Sequence, residues 1–146
     1  MPVTGGPYLS CAFLCERVLR EQDGTLSFIR VIDKWTITGP TDKMLPQMIQ
    51  AFLVVLWKAG IHRGSSQVTI TPTTPSGKVL KALELPVVFE GDDDRGTGVI
   101  FPLRFPAEES GCYWFDVAVD GQSMTQMPLR INYLRVANPP EPNPAS

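Results

Sequence analysis

The segment spanning residues 111–135, GCYWFDVAVDGQSMTQMPLRINYLR, restricts the fold more than any other part of the chain. Tyr113, Phe115, Val117 and Val119 alternate with Cys112, Trp114, Asp116, Ala118 and Asp120. A period of two puts each set on its own face of a strand, and the aromatic and branched set is the one to bury. Asp120-Gly121 then supplies the positive φ that a tight hairpin turn favours. Two antiparallel strands are predicted here, against which the rest of the chain must pack.

The upstream sequence supplies more strands. Residues 1–7 hold Pro, Thr and two Gly and read as a flexible arm. Residues 8–20 are apolar enough to fit a helix or a strand, but Asp23-Gly24 followed by a β-rich run decides for a hairpin. That second strand, TLSFIRVIDKWTI, spreads apolar residues over both faces, which predicts a bulge or a sheet edge. Residues 49–59, IQAFLVVLWKA, are the most hydrophobic run. A helix is the alternative there; β-branched and aromatic content and the Gly60 stop favour a central strand buried on both faces. Residues 67–73 alternate plainly, and Pro75-Ser76-Gly77 turns the chain. Residues 80–90 carry Pro86, the mark of an edge strand, and residues 99–105 form another strand interrupted by Pro102.

These signals describe one all-β domain over residues 8–136, an Ig-like or C2-like antiparallel β-sandwich of about eight strands. Residues 137–146, rich in proline, read as a disordered tail. Glu109, Gly111 and Tyr113 echo the acidic-x-Gly-x-Tyr pattern of immunoglobulin strand F, with Phe115 in place of its cysteine. Tyr113 is thus the candidate for a tyrosine corner, its hydroxyl bonding upstream backbone.

Three segments together resemble an uncharacterised bacterial domain-of-unknown-function family of small β-sandwich proteins. They are residues 11–20 with Asp23-Gly24-Thr25-Leu26; Pro75-Ser76-Gly77-Lys78; and residues 111–117 with Asp120-Gly121 and Pro128-Leu129-Arg130-Ile131. The resemblance covers most of residues 8–135 and implies a fold but no activity. Arg30 departs from it, standing where such proteins often have glycine.

Charge and motifs exclude several functions. A net charge of -2 and a pI near 5.3 leave no basic footprint for nucleic acid and no polybasic membrane anchor. No run of 18 apolar residues exists to span a bilayer, so a cytoplasmic protein without nucleic-acid or membrane partners is expected. Cys11 and Cys15 lie roughly 13 Å apart on an extended strand, beyond the ~7 Å a disulfide spans. Free thiols in a reducing compartment are expected, with a bridge from either to Cys112 as the alternative.

The single histidine, His62, and the absence of a G-x-S-x-G elbow argue against hydrolase chemistry, and no catalytic residue or cofactor is expected. His62 and Arg63 read as an anion-binding pair or as solvated loop residues. Cys11, Cys15, Cys112 and His62 lack the short loop spacing of zinc modules. Asp92, Asp93 and Asp94 are the weak metal candidates, since calcium wants clustered carboxylates; they are contiguous, and a solvated hairpin tip is the alternative.

Trp114 falls on the face opposite Tyr113. Left uncovered, it marks a surface for a protein partner or for self-association; covered, it is core. The sequence thus predicts a non-enzymatic structural or protein-interaction module. The alternative is a C2-like calcium- or small-ligand-binding domain acting through residues 91–98.

Overall fold

The computed structural model describes residues 5–136, so most of the arm expected at 1–7 and the whole tail expected at 137–146 lie outside it. Nine strands follow in order: β1 (Tyr8–Arg20), β2 (Leu26–Ile32), β3 (Lys34–Gly39), β4 (Gln47–Lys58), β5 (Gly64–Thr73), β6 (Leu83–Phe89), β7 (Gly96–Ala107), β8 (Gly111–Val119) and β9 (Gln122–Arg135). They form a four-stranded sheet, β2-β1-β4-β7, and a five-stranded sheet, β3-β9-β8-β5-β6. No helix occurs among the described residues.

The strand count corrects the expectation of about eight. The second strand breaks at Asp33 into β2 and β3, which belong to different sheets. Its two-faced hydrophobicity has this origin: Ile32 serves one sheet and Ile37 the other. Arg130 N–H donates to Asp33 C=O at 2.9 Å and fixes the crossing point. β3 then runs parallel to β9, from Lys34 opposite Arg130 to Gly39 opposite Arg135, so the sheets are not wholly antiparallel.

One core lies between the sheets. Ile49, Leu53, Val55 and Trp57 of β4 meet Val68 and Ile70 of β5, Tyr113, Phe115 and Val117 of β8, and Leu129 and Ile131 of β9. β4 is a strand between β1 and β7, and Leu53, Val54 and Val55 are all fully buried. Pro86 sits in the edge strand β6, where its missing N–H costs least.

Val54 points away from the inter-sheet core and is buried nonetheless, because the β1–β2 ribbon folds back over the outer face of its own sheet. β1 pairs with β4 only from Tyr8 to Cys15, then continues with β2 alone. The β1–β2 ladder skips Glu16 and Arg30 at this point, and Arg30 has a φ of 57°. A left-handed residue redirects a strand sharply, which is why glycine suits such a position.

Beyond the bend, Phe28 meets the ring of Phe13 edge-on at 4.9 Å between centroids, although its ladder partner is Val18. Arg17 and Ile29 come to share a cavity with Phe52 and Arg104, and Arg20 and Leu26 share another with Leu56 and Ile100.

Candidate functional site

β8 is the middle strand of the five-stranded sheet, and its two faces carry the residues singled out by sequence. Tyr113 points inward, is 1% exposed, and lies 5.3 Å from Phe105 between ring centroids. Its hydroxyl accepts from the backbone N–H groups of Glu108 and Glu109, each at 3.3 Å, and so closes the β7–β8 corner. Gly111 enters the strand at a φ of 121°, and a Cβ there would lie 2.8 Å from Cβ of Pro75, so only glycine fits.

With Tyr113 turned in, Trp114 is turned out and is 44% exposed at the centre of the sheet. Thr73 of β5 and Pro128 of β9 flank it. The three cysteines are free: Cys11 and Cys112 half-buried, Cys15 buried, with burial pushing the Cys15 thiol up and its bond to Arg17 C=O pulling it back.

Polar side chains collect at the end of the molecule that holds the β4–β5, β6–β7 and β8–β9 connections. Asp120 has a φ of 48°; its N–H donates to Gln67 C=O and its Oδ1 accepts from Gln67 N–H, both at 2.9 Å. The Gln67 bond, then the Ser66 hydroxyl, then the charge of His62 hold the Asp120 carboxyl below the ordinary aspartate value. His62 Nε2 lies 2.8 Å from Ser66 Oγ, and its ring stands edge-on to Phe89 at 5.0 Å.

A hydroxyl beside an imidazole is half of a nucleophile–base couple, which wants a third group orienting the imidazole. Asp120 instead bonds Gln67, so the network fastens strand ends together. Ser66 and Asp120 were visible in sequence only as a loop residue and a turn residue. What escaped the sequence is that Gln67 and Asp120 meet across 53 positions.

Arg63 donates to Gly60 C=O, to His62 C=O and, at 2.7 Å, to Asp93 Oδ1. His62 and Arg63 are therefore brought into the fold's own bonding rather than left as a free pair. Asp93 C=O also accepts from Gly60 N–H, which lays the acidic loop against the β4–β5 loop. Asp92, Asp93 and Asp94 share a shallow cavity with Tyr8, Lys58 and Arg63, two of them cations. Among the described residues, no group of three or more His, Cys, Asp or Glu side chains is arranged to hold a metal ion.

The model of a family of unknown function, DUF6941, matches residues 10–132. The chain belongs to DUF6941. No curated protein matches it. The DUF6941 match runs from β1 into β9 and so spans both sheets, the bent ribbon, the Tyr113 corner and Trp114.

Proposed function

We propose that this DUF6941 chain is an Ig-like β-sandwich serving as a non-enzymatic protein-interaction module, which docks a protein partner on the outer face of the five-stranded sheet around Trp114. The order β9-β8-β5 follows the G-F-C order of immunoglobulin sheets, with β6 beside β5 as C′ lies beside C. Tyr113 sits where the corner tyrosine of strand F belongs. β1, inserted between β2 and β4, is an addition to that plan.

The observation that carries the binding role is Trp114. An indole left 44% exposed on a central strand is the type of side chain that anchors interfaces, while its neighbours Thr73 and Pro128 lose little on desolvation. The free thiols fit a reducing compartment such as the cytoplasm. Calcium binding by residues 91–98 has less support, because Arg63 already neutralises Asp93.

A photo-crosslinking residue at Gln126, on the same face, tests the reading in cells. One discrete adduct is expected, lost in Trp114→Ser while the melting midpoint of the purified protein stays put. No adduct, or an adduct unchanged by Trp114→Ser, overturns the docking face. Millimolar calcium should leave the melting midpoint unmoved; a rise abolished by Asp93→Asn would revive the calcium alternative, since saturation at about 100 Kd adds roughly 2.7 kcal/mol.

A further inference from the structure

We propose that the groove beneath the β1–β2 ribbon, on the outer face of the other sheet, binds an extended acidic peptide segment as a strand added to β4. β4 pairs with β7 along its whole length, from Gln47 opposite Ala107 to Lys58 opposite Gly96. It pairs with β1 only from Phe52 to Lys58, because the ribbon bends away after Cys15. Residues 47–51 are thus laddered on one side only, and among the described residues no loop backbone bonds to them. A free edge of this length, roughly 17 Å at about 3.4 Å per residue, matches an ordinary strand. Natural folds shield such edges or use them for strand addition, in which main-chain bonds give affinity and side-chain pockets give specificity.

The pocket is present. Gln50 and Phe52 of β4, Arg104 of β7, and Arg17 and Ile29 of the ribbon line a cavity of about 620 Å³. Arg17 and Arg104 are exposed within it, and its one acid, Glu16, already lies 3.7 Å from Arg30. Arg20 and Lys58 line a separate cavity, which shares no residue with this one. A chain of net charge -2 has therefore placed two exposed guanidinium groups in this groove. Phe52 and Ile29 give it an apolar floor. A strand alternating acidic and apolar residues complements both features, and its carboxylates would accept from the two guanidinium groups. A second copy of this chain fits poorly, since residues 47–51 carry no acid and pairing them would bring like cations together.

The groove and Trp114 lie on different sheets, so the two proposals stand or fall separately. A fluorescently labelled seven-residue peptide alternating glutamate and valine is titrated into the full chain by polarisation. Binding is expected, weakening as salt rises, and at least tenfold weaker in Arg17→Glu/Arg104→Glu, whose sites are exposed enough to keep the fold and melting midpoint. Trp114→Ser should bind as wild type. Hydrogen exchange at residues 47–51 should slow on adding peptide.

Equal binding of a lysine–valine peptide would overturn the charge argument. Equal binding of the acidic peptide with a central proline would overturn strand addition. Light scattering that shows a dimer blocking the site, dispersed by the double variant, would assign the groove to a second copy instead. No binding at all would end the proposal.

Discussion

The β1–β2 and β8–β9 hairpins both turn on Asp-Gly, at Asp23-Gly24 and Asp120-Gly121, and they are held in different ways. Asp23 spends its Oδ1 within the turn, accepting from the N–H and the hydroxyl of Thr25. Glu21 and Thr25 close the rest of that loop with a 2.8 Å backbone bond. Asp120 instead reaches into β5, so its turn is locked to the sheet that surrounds it. β8 and β9 each have a second strand neighbour, β5 and β3. Past Cys15 the β1–β2 ribbon has only itself, and it finds cover by folding back. The same dipeptide closes both; what lies beside the strands decides whether the hairpin becomes core or a flap.

The largest expected difference tests that contrast directly. Tyr113→Ala should cost about 3–5 kcal/mol, the usual loss for a large buried aromatic. Phe28→Ala, half-buried on the ribbon, should cost about 1–2 kcal/mol, since only part of the ring leaves water. Denaturant midpoints measure both. Equal losses would make the ribbon as integral to the core as β8 and would break the distinction.

Arg30 sharpens it further, at smaller size. A non-glycine residue with positive φ costs on the order of 1 kcal/mol or more, and the 3.7 Å contact with Glu16 is exposed and worth a few tenths. Arg30→Gly should therefore gain up to about 1 kcal/mol, and Arg30→Val should lose stability because a branched side chain resists this φ. A loss with glycine would mean that the ion pair, rather than the backbone, sets the bend.

Much of this was legible in the sequence. The alternation of residues 113–119 put Tyr113 in and Trp114 on the opposite face, leaving open whether that face is covered, and the Asp-Gly pairs marked both hairpins, because period and turn chemistry are local. The break at Asp33 was not, since a chain changing sheets shows only as apolar residues on both faces, which a bulge shows equally well. Nor was the ribbon's fold-back: its cause is Arg30, which no turn rule flags, and its cover, Phe13 against Phe28, needs the bend to exist first. Arg63 with Asp93 and Asp120 with Gln67 pair residues 30 and 53 positions apart, beyond any spacing rule.

The smallest effect separates the two turns by pH. Both carboxyls are held below the ordinary aspartate value of 3.8, Asp23 by the Thr25 side chain and then its N–H, Asp120 chiefly by Gln67 N–H. A depressed folded-state value means stability that is present above 3.8 and is lost as pH falls through the lower folded value. Both groups are exposed, so the change in midpoint will be slight, and its location is more telling than its size. Protonating Asp120 should release the Gln67 amide, seen as a lower protection factor at that residue, its exchange being compared with the intrinsic rate at the same pH. Asp120→Ala should show the fast rate already at neutral pH. Asp23→Ala should leave Gln67 protected there, since its bonds end within two residues of themselves. If instead Asp23→Ala exposes Gln67, the two hairpins are coupled through the core, and the ribbon is more than a flap.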